Sequence, residues 1–232
     1  MENAIRIVII GDYNFAYHSH NATNKALQHV EKILDQQINF FWYGEHEFCE
    51  FKDEEIQGYD GVLIAPGPFQ KPFYFTSIID RLKVMDMPVL GTGEIFKIVV
   101  QSHFSDLQLN KNGEKIISDN LVDGNHFTQV NLTNLSPECD KIYIHRGAVE
   151  FSSSRFSILP QYSDILAESF EIGARNQYFD PEIIKSKDLN FFMFTMFCPQ
   201  MNSSEDIPHP LFTYFIKTVV RLNDMKMTSE NR

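Results

Sequence analysis

Cysteine is scarce and poorly placed for a framework, with only Cys49, Cys139 and Cys198 among 232 residues. An odd number so widely spaced, with no Cys-x-x-Cys and no Cys/His cluster, excludes a disulfide scaffold and gives no zinc signature. Basic residues are also few: 20 Lys and Arg against 31 Asp and Glu, for a formal net charge of −11. That balance argues against nucleic acid, because phosphate binding needs a concentrated basic face. It argues equally against an anionic membrane surface. No uncharged apolar run reaches the ~18 residues that span a bilayer. The opening MENAIRIVII lacks the basic-then-apolar order of a secretory signal. Cytoplasm is the expected compartment, and neither nucleic acid nor membrane is an expected partner. Linkers, repeats and low-complexity segments are missing too. One domain is therefore expected over residues 1–224, with a polar tail over 225–232.

Aromatic residues are plentiful. Twenty-one Phe point to a core filled by large flat side chains, each removing much apolar area from water. The first hundred residues alternate. IRIVII (5–10), INFFWY (38–43), GVLIAPG (61–67) and PVLG (88–91) are apolar runs of strand length. Between them, residues 21–36 and 74–85 place apolar side chains at helical spacing, and a further helix is expected over 94–101. Apolar strands alternating with amphipathic helices make right-handed βαβ units around a parallel sheet. The fold class is thus α/β, three layers, a mostly parallel sheet with helices on both faces. Ligands in such sheets sit beyond the carboxyl ends of the strands. Three loops occupy those ends: GDYNF (11–15), APGPF (65–69) and GTGEI (91–95).

The middle third reads differently. HFTQVNL (126–132), DKIYIHRG (140–147) and RFSIL (155–159) are expected as short strands of a small antiparallel β element. Turn chemistry at Asn112-Gly113 and Asp123-Gly124 separates them. NFFMFTMF (190–197) is a further buried strand, and PHPLFTYFIKTVVRL (208–222) a final helix with Pro210 in its first turn.

Four segments carry a resemblance: IRIVIIGDYNFAYHSHNATNKAL, YDGVLIAPGPF, PVLGTGEIFK and FFMFTMFCPQMNSSEDIPHPLF. In order and spacing they resemble a class I glutamine amidotransferase domain, above all the glutaminase domain of CTP synthase and its standalone relatives. The resemblance implies a cysteine on a strand-to-helix elbow, a histidine and a glutamate after a late strand, and ammonia passed to a synthetase. A thiolate needs a base within hydrogen-bond reach, and the base needs a carboxylate to hold it. Backbone N–H groups must then meet the oxyanion.

Carried over by position, those groups are replaced. Gly93 stands at the nucleophile position, Cys198 at that of the base, and Gln200 at that of the carboxylate. The oxyanion loop matches Pro66-Gly67-Pro68-Phe69, and proline has no backbone N–H to donate. Losing one triad member alone costs several orders of magnitude in rate. A pseudoenzyme is expected. It would bind an amino-acid-like or nucleotide-like ligand through Gly67, Pro68, Phe69, Glu94 and Arg175, or else dock a synthetase or other protein. Arg175 falls where the family has an arginine for the glutamine carboxylate.

Two other readings stay open. One is a hydrolase or transferase using Cys198 or Glu94, against which stand an inert core thiol and a helix-dipole contact. The other is a glutaminase subunit of a separate synthetase. His18 and His20, with His103, His126 or His145, form a candidate metal set without a placed third ligand. No metal and no cofactor is expected. His209 is expected as a cap or surface residue.

Overall fold

A computed structural model describes residues 4–107, 116–119, 128–152 and 156–230. β1 (Ile5–Ile10) leads into α1 (His18–Leu34), β2 (Ile38–Tyr43), the short helices α2 (Glu45–Cys49) and α3 (Asp53–Gln57), and β3 (Gly61–Ile64). α4 (Tyr74–Val84), β4 (Val89–Thr92) and α5 (Ile95–Asp106) follow. Next come β5 (Ile117–Asp119), β6 (Thr128–Asn131), α6 (Pro137–Tyr143), β7 (Val149–Ser152) and β8 (Phe156–Ile158). The remaining elements are α7 (Pro160–Ser169), β9 (Phe170–Arg175), β10 (Pro181–Ser186), β11 (Phe192–Thr195), a 3-10 turn Pro199–Asn202, and α8 (Pro210–Glu230).

Seven strands form one sheet in the order β2-β1-β3-β4-β11-β10-β9. The pairings from β2 to β11 are parallel, while β10 runs antiparallel to both β11 and β9. β1 shows why the strands are continuous apolar runs rather than alternating ones. Val8 and Ile10 pack into the layer holding α4 and α5, and Ile5, Ile7 and Ile9 into the layer holding α1 and α8. Both faces are covered, so each residue is buried, at roughly 1.5–3 kcal/mol per large apolar side chain. Ten phenylalanines are among the largest fully buried side chains. Phe75, Phe96, Phe104, Phe192, Phe194, Phe212 and Phe215 are among those fully buried.

The antiparallel element is two separate pairs, β5 with β8 and β6 with β7. One expected strand is corrected. Residues 140–147 do not extend; the first four lie in α6 and the rest in the turn after it, because Ser136 caps a helix that begins at Pro137, its side chain accepting from the Cys139 N–H. A capping serine followed by Pro at the first helical position outweighs the β-branched content of KIYI. The final helix also runs past 222 to Glu230, over residues where a polar tail is expected. The Asn112-Gly113 and Asp123-Gly124 turns and His126 lie outside the described residues, as do the first residues of the strands expected over 126–132 and 155–159. Among the described residues, no helix is long and apolar enough to cross a membrane.

Candidate functional site

The carboxyl ends of β1, β3 and β4 bring the loops at 11–15, 65–69 and 91–95 to one edge of the sheet, as the alternation of the sequence requires. At the third of these, β4 turns into α5 through Gly93 at φ +71°. That left-handed backbone is the geometry of a nucleophile elbow, and glycine alone adopts it without steric cost. The turn is fastened from both sides. Gly93 N–H donates to the Thr195 carbonyl at 2.8 Å, and Glu94 N–H to the Pro66 carbonyl at 3.0 Å.

Pro66 comes close. A Cβ on residue 93 would lie 2.8 Å from the Pro66 oxygen, 2.9 Å from its Cβ and 3.0 Å from its Cα. Real Cβ atoms do not approach so near. The space in front of the elbow, where a side chain of residue 93 would project, is filled by the preceding loop.

Glu94 fills the neighbouring space. It stands at the N-cap position of α5 but makes no side-chain cap there. Its carboxyl instead accepts the Phe69 N–H. A Cβ on Gly67 (φ +85°) would fall 2.5 Å from Glu94 Oε2, so the carboxyl packs directly on that glycine. Burial pushes the Glu94 carboxyl above the usual carboxylate range, with the Phe69 N–H and Lys97 pulling the other way. The loop 65–69 is itself pinned by His20, which is buried. His20 Nδ1 accepts from the Asn14 N–H at 3.1 Å, so Nε2 carries the proton and donates to the Gly67 carbonyl at 3.2 Å. Burial holds its pKa below the ordinary histidine value, with Gly67 and Asp12 opposing. This imidazole is a neutral strut. Its neighbours are Tyr13, Tyr17 and Trp42.

Gln200 and Cys198 lie behind the elbow. Gln200 is buried in the 3-10 turn and donates from Nε2 to Thr92 Oγ1 at 3.2 Å; its Oε1 has no donor among the described residues. Cys198 is fully buried and donates its N–H to the Phe151 carbonyl at 3.0 Å. Arg175 is directed elsewhere, to Ser163 Oγ at 2.9 Å and the Phe179 carbonyl at 2.8 Å. Gly67, Pro68, Phe69, Gly93 and Glu94 thus share one site with Gln200 beneath it, while the contacts of Arg175 point away. Among the described residues no group of three or more His, Cys, Asp or Glu could hold a metal ion.

Two buried acids at this edge carry no signal in the sequence. Glu150 is fully buried, accepting from Tyr143 Oη at 2.9 Å and from His209 Nε2 at 2.7 Å. Glu182, on β10 beside the end of β11, accepts from Asn176 Nδ2 at 2.9 Å, and its Oε2 has no donor among the described residues. Burial raises the Glu182 pKa from 4.5 to about 8, against the pull of Asn176. The native state therefore keeps a proton that the unfolded chain has lost between pH ~4.5 and ~8, and stability falls as pH rises through that window. Replacing the acid removes this penalty. Glu182→Gln should be more stable than wild type by about 1–3 kcal/mol at pH 9, the gain held down by an amide N–H with no acceptor. At pH 5 the gain should vanish. Urea midpoints at the two pH values check it, and an equal difference at both would remove the burial explanation.

Comparison with known proteins agrees with this fold. No family model matches the chain. CTP synthase of Helicobacter pylori (strain HPAG1) is 24% identical over 253 residues, covering 94% of this chain and 46% of that protein. CTP synthase of Mycoplasmopsis pulmonis is likewise 24% identical, covering 94% and 45%. The chain thus spans about half the length of the curated relatives it matches. Among solved structures, the glutaminase domain of Trypanosoma brucei CTP synthase with bound acivicin superposes with TM-score 0.77 at 18% identity, covering 94% of each chain. A glutamine amidotransferase of Methylobacillus flagellatus gives 0.53 at 10% identity, over 85% of this chain and 70% of that one.

The chain thus has the fold of these glutamine amidotransferase domains. Within that class, both sequence and fold place its likeness with CTP synthase and that enzyme's glutaminase domain.

Proposed function

We propose that this chain is a non-catalytic relative of the CTP synthase glutaminase domain, one that binds a small ligand or a partner protein and does not hydrolyse glutamine. The observation that carries the reading is Pro66, three of whose atoms lie within 2.8–3.0 Å of the point where a nucleophile's Cβ would stand on residue 93. Two further features support it. Of the backbone donors around the elbow, Glu94 N–H is spent on the Pro66 carbonyl and Phe69 N–H on the Glu94 carboxyl. An amide oxygen becoming an oxyanion needs such donors unpaired and aimed at it. The residues at the remaining triad positions, Cys198 and Gln200, are buried at 0% and 2% exposure, which suits packing rather than proton transfer to a substrate.

The test is ammonia release from glutamine by the purified chain, alone and with a CTP-forming synthetase added. The expected rate is that of buffer in both cases. An enzyme-like rate in either would end the pseudoenzyme reading, and a rate only with the synthetase would make the chain its glutaminase subunit. A thermal-shift series with glutamine, glutamate and nucleotides then separates the two binding roles. A shift of several degrees with one of them identifies a retained pocket, since stabilisation follows RT ln(1 + [L]/Kd); no shift with any assigns the surface to a protein partner.

A further inference from the structure

Beside this site, and lined in part by Pro68 and Phe69, lies a cavity of about 420 Å³. Its wall includes Asp12, Tyr13, Phe15, Tyr17, Phe69 and Gln70. That volume lies within the range of small-molecule sites. Three of the aromatics come from one stretch of five residues and are exposed, Phe15 by 81%. Exposed aromatic rings grouped around a concavity are uncommon on a surface that has no partner for them. The stretch is also held by local hydrogen bonds. Tyr13 Oη donates to Asn21 Oδ1 at 2.8 Å, Asn21 Nδ2 to the Phe15 carbonyl at 2.7 Å, and Ala16 N–H to Asn14 Oδ1 at 2.9 Å.

The charge in the cavity is negative and under-neutralised. Asp12 lies on the wall, no lysine or arginine among the described residues lines it, and Glu45 sits beside Asp12, side chain to side chain. Glu45 is 1% exposed; its Oε1 accepts the Lys71 N–H at 2.6 Å, while its Oε2 has no donor among the described residues. Two facing carboxyls have no donor between them unless they hold a proton in common. Burial and then Glu45 push the Asp12 pKa up, Glu47 adds to this, and only Lys71 opposes. A carboxylate sharing a cavity wall with aromatic rings can attract a desolvated cation, through the ring quadrupoles and the carboxylate together.

We propose that this cavity binds an organic cation, a primary ammonium or guanidinium group seated among the Tyr13, Phe15, Tyr17 and Phe69 rings with its charge on Asp12. This goes beyond the reading above and holds whether or not the elbow is catalytic. The group would belong either to a free small amine or to a lysine or arginine side chain of a partner.

Trp42 is the chain's only tryptophan, and its ring centroid is 5.0 Å from that of Tyr13, so intrinsic fluorescence reports on the cavity. The protein is titrated with butylammonium, with the capped tripeptide acetyl-Gly-Lys-Gly-amide, and with neutral butanol. A saturable change with one or both ammonium compounds and none with butanol is expected. Asp12→Asn should raise the midpoint about tenfold or more, and Phe15→Ala severalfold; Phe15 is too exposed for its loss to unfold the protein. A lower midpoint for butylammonium identifies a free amine as the natural occupant, and a lower one for the peptide a partner's side chain. No saturable response to either ammonium compound, or an equal response to butanol, overturns the proposal, as does an unchanged midpoint in both variants.

Discussion

Replacing Gly93 with cysteine is expected to destabilise the protein by about 2–4 kcal/mol and to release no more ammonia from glutamine than wild type. Two costs add. A residue with a Cβ held at φ +71° pays roughly 1–2 kcal/mol for the left-handed backbone. Forcing that Cβ against Pro66, at separations of 2.8–3.0 Å, adds the roughly 1–3 kcal/mol of an overpacked site. For a chain of 232 residues the melting temperature should fall by roughly 5–15 °C. Gly93→Ala carries the same Cβ without the thiol and should lose as much, which separates steric cost from chemistry.

The combined variant Gly93→Cys, Cys198→His, Gln200→Glu supplies the family's residue types and should still be inactive. The nearby N–H groups of Glu94 and Phe69 remain engaged by Pro66 and by the Glu94 carboxyl. Circular dichroism establishes that the variants are folded before ammonia is measured. Glutamine-dependent ammonia above the wild-type level in any of them would mean that Pro66 yields and the cleft is competent.

The second large effect lies at the start of α8. His209→Ala should cost about 3–5 kcal/mol, because it breaks a fully buried pair and leaves Glu150 without its nearest donor. His209 Nδ1 accepts the Leu211 N–H at 3.2 Å, so the proton sits on Nε2 and points at Glu150, 2.7 Å away. The ring is thus a neutral donor that also satisfies an orphan amide in the first turn of the helix. Burial sets its pKa below 6.5, with Glu150 pulling upward and Arg146 downward. The unfolded chain therefore takes up a proton before the native state does. The His209 contribution is complete above pH ~6.5 and declines as pH falls below it. Thermal melts at pH 7.5 and 5.5 should accordingly show a smaller gap between wild type and His209→Ala at the acid pH. His209→Gln, which keeps an N–H for Glu150, should lose less. A loss under ~1 kcal/mol with no pH dependence would mean that Glu150 is satisfied without the imidazole.

The framework of the site was legible because each of its parts is local. Four apolar runs with helical segments between them dictate which loops meet at the strand ends, and Gly93 and Pro66-Gly67-Pro68 lie within those loops. The sequence misleads where local signals compete, as at residues 140–147, where KIYI reads as strand until Ser136 and Pro137 are seen as a helix start. It is silent where function depends on residues far apart in the chain. Glu150 and His209 are 59 residues apart, and the burial that gives Glu182 its pKa belongs to the assembled sheet. His20 reads as half of a metal pair and Glu94 as a helix-end acid; only their partners across the loops show what each side chain does. His209, read as a cap or surface residue, does cap, but from the interior.

One imidazole ties two surfaces together. By bonding the Asn14 amide with one nitrogen and the Gly67 carbonyl with the other, His20 makes the aromatic stretch after β1 and the proline-rich stretch after β3 a single mechanical body. Moving either one alone would break one of these two bonds. Whatever settles on one side of that body therefore meets a wall that His20 fastens to the other.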